Sequence, residues 1–103
     1  QTVVGRSKNV LGPYLDKTGR DMLYDYCEII MSGNENWAGP GHNSILIQDD
    51  VGTDWIIYHG YKKKEAENGR YVLMDKLIWS NDGWPSVKSN APSILEVAPY
   101  FQK

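Results

Sequence analysis

What the sequence lacks narrows it first. A single cysteine, Cys27, leaves nothing for an internal disulfide, so the chain is not a disulfide scaffold. No apolar run approaches the roughly 18 residues that a membrane span needs. A dominant charge is missing too: 11 basic and 13 acidic residues give a formal net charge of -2. That balance makes no electrostatic case for nucleic acid or an anionic membrane as partner. Phenylalanine occurs once, against four Trp and seven Tyr. Trp and Tyr join a flat apolar face to a polar edge, which suits both strand packing and stacking on a sugar ring. There is no initiating Met and no apolar leader, because Gln1 opens directly onto strand-like Thr2-Val3-Val4. The expectation is a segment of a longer chain, and at 103 residues one domain or part of one.

What is present reads as strands and turns. Gln1 to Gly5 is a short β-branched strand. Gly12-Pro13 and Asp16-Lys17-Thr18-Gly19 are turn signals, and Asp21 to Tyr26 has helical spacing but little length. Strands are then expected at Cys27 to Met31, Ser44 to Gln48, Asp54 to Tyr61 and Arg70 to Trp79. The nearly continuous apolar run Trp55 to His59 predicts a strand covered on both faces. Lys62 to Gly69 is a charged, solvated loop, Ser80 to Pro85 closes the last strand, and the tail with Pro92 and Pro99 is irregular. Four consecutive strands with short connections form the unit of a β-propeller blade, which cannot bury both faces alone. The N-terminal strand would then be the last one of a preceding blade. A small β-sandwich or barrel is the alternative on pattern.

The stretch Trp37-Ala38-Gly39-Pro40-Gly41-His42-Asn43-Ser44 stands out. Two glycines flank a proline just before a lone histidine, so an imidazole sits on a bent backbone at the mouth of a strand. Two readings stay open, a packing device or part of a site. Asp49, Asp50, Asp54 and Asp82 lie at turns or strand starts, where Asp serves local hydrogen bonding. Neither they nor Asp75 is nominated as catalytic, and Glu28 and Glu35 have no supporting motif.

Taken together, Val4-Gly5-Arg6-Ser7-Lys8, Gly12-Pro13-Tyr14, Gly39-Pro40-Gly41-His42-Asn43-Ser44, Asp54-Trp55-Ile56-Ile57-Tyr58-His59-Gly60-Tyr61, Gly69-Arg70 and Asp82-Gly83-Trp84-Pro85 resemble the C-terminal part of glycoside hydrolase family 43. The likeness is nearest to endo-α-1,5-L-arabinanases and runs from Val3 to about Pro92. It implies an all-β fold, part of a five-bladed β-propeller, with 1–26 ending blade four, 27–85 forming blade five and 86–103 a tail. It also implies inverting hydrolysis of arabinan in a secreted or periplasmic enzyme. Inversion needs a carboxylate base for water and a carboxylic acid for the leaving oxygen. The family's carboxylates come from earlier blades, and none has a matching position here. The segment alone is therefore expected to be inactive, with the remaining blades, on the same protein or a second chain, as its partner. A non-catalytic carbohydrate-binding or structural β-module is the rival reading.

The resemblance assigns His42 to a cation, calcium with a largely water shell, beneath the sugar site. Asn43 either orients His42 or caps the turn. Arg70 matches an arginine that reaches substrate hydroxyls in xylosidase relatives, or it lies flat on the surface. Trp37 either stacks on a sugar or packs against the turn. His59, inside the buried strand, is read as a core histidine.

Overall fold

The computed structural model describes residues 1–102. Seven strands occur among them: β1 Thr2–Val4, β2 Glu28–Met31, β3 Trp37–Gly41, β4 Ile47–Gln48, β5 Asp54–Lys62, β6 Arg70–Trp79 and β7 Pro85–Ser86. Short 3-10 segments at Met22–Tyr24, Lys63–Asn68 and Lys88–Asn90 make up the helical content. The larger sheet is antiparallel in the order β3-β5-β6-β7, with β4 on the same edge of β5 as β3. Its backbone is the β5–β6 hairpin, paired from Asp54↔Leu77 to Tyr61↔Arg70. The charged stretch expected as a loop closes this hairpin as a kinked 3-10 segment. Among the described residues no helix is long and apolar enough to cross a membrane.

Two expectations change. The strand expected to open the four-stranded sheet, Cys27 to Met31, instead pairs with β1, through Thr2↔Met31, Val3↔Ile29 and Val4↔Glu28. The cause is the turn that follows it. Asn34 accepts at Oδ1 from the amides of Asn36 and Trp37 (2.9 and 2.8 Å), bending the chain sharply out of β2. The opposite edge of β2 is taken by Asn90, whose carbonyl accepts from Ser32 N at 2.8 Å and whose amide donates to Ile30 O at 3.2 Å. Second, Gly39-Pro40-Gly41 is strand rather than loop, while the expected strand Ser44 to Gln48 shrinks to Ile47–Gln48.

The two sheets meet over one apolar core of Ile30, Met31, Ile56, Tyr58, Leu77 and Val87, with Val4 and Leu73 packed against it. These residues share a face because β5 alternates: Ile56 and Tyr58 point inward with Leu73, the partner of Tyr58, and Leu77, two residues beyond Asp75, the partner of Ile56. Tyr58 donates its hydroxyl to Asp75 Oδ2 at 2.5 Å, and Asp75 also accepts from Ser93 N at 3.2 Å, tying the tail to the sheet. Burial, then that carboxylate, pushes the Tyr58 phenol far above its ordinary range. Arg6 lies over the Trp84 ring, 4.3 Å from its centroid, and donates to Asp82 O, linking the segment after β1 to the turn before β7.

Both outer faces remain apolar. Val3 and Ile29 are exposed on one side, Val72 and Ile78 on the other. A layer that is apolar on both sides is built to be stacked. Met31 has no exposed surface, so Met31→Ala is expected to destabilise the fold by about 2–5 kcal/mol in urea denaturation. A loss below about 1 kcal/mol would show that the two sheets are not held together through this side chain.

Candidate functional site

The site begins with an interruption. β3 and β4 lie end to end along β5, and residues 42–46 between them leave the ladder, keeping only the bond from Ser44 N to Ile57 O at 2.9 Å. The departure is prepared within β3. Ala38 pairs with Tyr61 and Gly41 with His59, so three steps on one strand face two on the other. That extra residue is a bulge. Gly39 takes φ 60, Pro40 has no N–H to give the ladder, and its buried carbonyl instead accepts from Thr2 Oγ1 at 3.0 Å.

His42 follows with φ 50, a left-handed conformation uncommon for a side-chain-bearing residue. In a regular strand residue 42 would project away from the side that Gly41 and its partner His59 share. The left-handed backbone brings its imidazole beside His59 instead, with ring centroids 5.5 Å apart and planes at 48°. His42 is exposed and His59 half-buried. His59 Nδ1 is buried and has no hydrogen-bond partner. A buried polar atom left so costs about 1–3 kcal/mol, which calls for a partner beyond the side chains around it.

Asn43 and Ser44 do not orient this pair. Asn43 Nδ2 donates to Ser44 O at 3.0 Å and Ser44 Oγ to Ile45 O at 2.8 Å, so both side chains serve the local turn. Such bonds compete with the ladder, which is why the expected strand loses its first half.

Arg70 and Trp37 separate. Arg70 pairs with Tyr61 and lies over its ring at 5.6 Å. Positions 59 and 61 share a face with their partners 72 and 70, so the exposed Arg70 is on the side of His59. Trp37 starts β3 opposite Lys62 and meets Tyr71 edge-on, with centroids 5.9 Å apart. Tyr71 pairs with Gly60, on the other face. Gly60 makes room there, since a Cβ would fall 3.0 Å from Leu73 Cδ1 and 3.8 Å from Trp37 Cε3. Trp37 is therefore packed, half-buried, away from His42.

The carboxylates are engaged in structure. Asp49, buried, accepts from the amides of Thr53, Val51 and Tyr100 and from Trp55 Nε1. Burial raises its pKa, but these donors outweigh it and hold the carboxyl below its ordinary range. Asp16 follows the same logic: burial opposes ionisation, and donors from Arg20 and Thr18 overcome it, bringing the pKa to about 2. Asp54 accepts from Trp79 Nε1 and Gln48 Nε2, Asp82 from Ser80 Oγ, and Asp50 from Gln102 N. Among the described residues no three His, Cys, Asp or Glu side chains converge as a metal cage. Calcium takes six to eight oxygens, and no Asp or Glu gathers with His42 and His59 to supply carboxylate oxygen among the described residues.

The family model for glycosyl hydrolases family 43 matches residues 1–85. The chain belongs to glycoside hydrolase family 43. It is 44% identical over 85 residues to an extracellular exo-α-(1→5)-L-arabinofuranosidase of Cellvibrio japonicus, covering 82% of this chain and 24% of that one. It is 43% identical over 83 residues to an extracellular endo-α-(1→5)-L-arabinanase of Bacillus subtilis, covering 80% and 23%. Among solved structures it superposes on a Cellvibrio cellulosa α-L-arabinanase complexed with arabinohexaose, with a TM-score of 0.72, 44% identity and coverage of 82% and 26%. The chain thus spans about a quarter of the length of these relatives. Its curled antiparallel sheet is part of the five-bladed propeller of family 43.

Sequence reasoning missed His59 as the neighbour of His42. Its position inside an apolar run reads as core, and only the register Gly41↔His59 reveals the pairing.

The carboxylates give a pH prediction. Asp16 titrates at about 2 when folded against an ordinary 3.8. Because the folded value is the lower one, its stabilisation is complete above 3.8 and lost as pH falls towards about 2. Asp16→Asn should flatten the acid limb of stability in that window, followed by circular dichroism; an unaltered limb would contradict the assignment.

Proposed function

We propose that this chain forms one wall of the channel of an extracellular arabinan hydrolase, and that the catalytic carboxylates lie on segments outside it. The observation that carries the reading is the 44% identity over 85 residues to an enzyme named for α-(1→5)-L-arabinofuranosidase activity. The saturated hydrogen bonding of Asp16, Asp49 and Asp75 supports the second half, since a general base needs a free oxygen and an acid needs a raised pKa. The reaction is inversion at the anomeric carbon, with the acid and base about 6.5–9.5 Å apart to admit a water. The apolar outer face bearing Val3 and Ile29 packs against a remaining blade.

Within that enzyme, His42 is held at the channel by its left-handed backbone and by the bulge that Thr2 anchors. It is a ligand of a divalent cation whose remaining shell is mostly water, calcium being the ion that family resemblance implies. When bound, such an ion supplies fixed positive charge that favours the ionised state of nearby carboxylates. Arg70 presents a guanidinium fork suited to paired sugar hydroxyls, and Tyr61 beneath it limits its swing. Trp37 serves packing.

In the intact enzyme, His42→Ala is expected to lower release of reducing sugar from linear arabinan by about 10–100-fold, the range for losing a metal-site group, with near-ultraviolet circular dichroism retained. Unchanged turnover would remove His42 from the site. Absence of sugar release by the unsubstituted intact protein would favour a non-catalytic carbohydrate-binding module.

A further inference from the structure

We propose that His59 is a second nitrogen ligand of the cation at His42, and that the pair makes the site favour a borderline first-row ion such as zinc, cobalt or nickel over calcium. The inference rests on the proposed function only for the presence of a cation at His42. Three observations carry it. The rings lie 5.5 Å apart, centroid to centroid. Two imidazoles bound to one ion at about 2.0–2.1 Å with a near-tetrahedral angle would place their centroids roughly 5 Å apart, so the ring spacing is compatible with one shared ion. His59 Nδ1 is buried and without a hydrogen-bond partner among the described residues, and a metal ion can take up the lone pair of a neutral imidazole nitrogen. The backbone is bent to bring the rings together, through Gly39 and the left-handed His42, where a regular strand would keep them apart.

The chemistry of the donor set then selects the ion. Imidazole nitrogen suits zinc, copper, iron and nickel, whereas calcium is a hard cation that seeks oxygen. No Asp or Glu stands with the two rings as a three-residue cluster among the described residues. Arg70, on the same face as His59, is a cation and provides no ligand. The remaining positions fall to water, which leaves the ion accessible from the channel side where His42 is exposed. As a core histidine, His59 would need a partner for Nδ1, and none stands there among the described residues.

The test is metal binding by the metal-stripped intact protein without substrate, so its outcome is separate from that of the arabinan assay. Cobalt(II) is titrated and followed by its visible absorption, and calcium by calorimetry, for the unsubstituted protein, His59→Gln and His42→Gln. Each substitution is expected to weaken cobalt binding at least about tenfold, with calcium binding weaker than cobalt binding in the unsubstituted protein. X-ray absorption of the zinc-loaded unsubstituted protein should count two imidazoles per ion, a readout that needs no variant to fold. One imidazole per ion, cobalt affinity unaltered in a folded His59→Gln protein, or tighter binding of calcium than of cobalt would each overturn the proposal.

Discussion

Pro40 is the constraint from which the site follows. It stands in the strand that runs along β5, yet it has no N–H for the ladder. The strand cannot stay in register through it, and the extra residue between Ala38 and Gly41 absorbs the mismatch. Its carbonyl, turned out of the ladder, would be an unsatisfied buried acceptor without Thr2 Oγ1. That one bond couples the small β1–β2 sheet to the large one at the point where the chain leaves the ladder. The left-handed His42, the loss of strand at residues 43–46 and the meeting of His42 with His59 all lie immediately downstream.

The rest of the chain makes that bend rigid. The Met31, Ile56, Tyr58 and Leu77 core joins the two sheets in one buried cluster. Asp49 gathers the β4–β5 turn, the Trp55 indole and the tail at Tyr100 on one carboxylate. Asp75 does the same for Tyr58 and Ser93. Asp16, Asp49 and Asp75 of this chain thus act as structural acceptors, and the nitrogen-bearing side chains His42, His59 and Arg70 lie towards one side of the sheet. A segment with 13 acidic residues therefore carries imidazole and guanidinium groups on the face where His42 meets His59.

Much of the architecture was legible because strands announce themselves locally. The Arg70 to Trp79 strand and the Asp54 to Tyr61 strand follow from β-branched and aromatic runs bounded by turn residues, and they form the longest hairpin. The pairing of β2 was not legible. Nothing in Glu28 to Met31 says which neighbour it will take; the Asn34 turn and the distant Asn90 decide it. Ser44 to Gln48 misled for the opposite reason, since an apolar, β-branched run was read as strand while Asn43 and Ser44 spent their side chains on the local turn.

The sequence by itself determined the family, the all-β class and the unusual status of Gly39-Pro40-Gly41-His42, because motifs, alternation and backbone-restricted residues are properties of neighbours along the chain. Only the tertiary structure decided that Trp37 lies on the face opposite Arg70 and that His59 stands beside His42. Those facts depend on register between strands, and a shift of one residue sends every side chain to the other face. Register was set here by a proline that could not join the ladder and by a threonine 38 positions away that accepted the consequence.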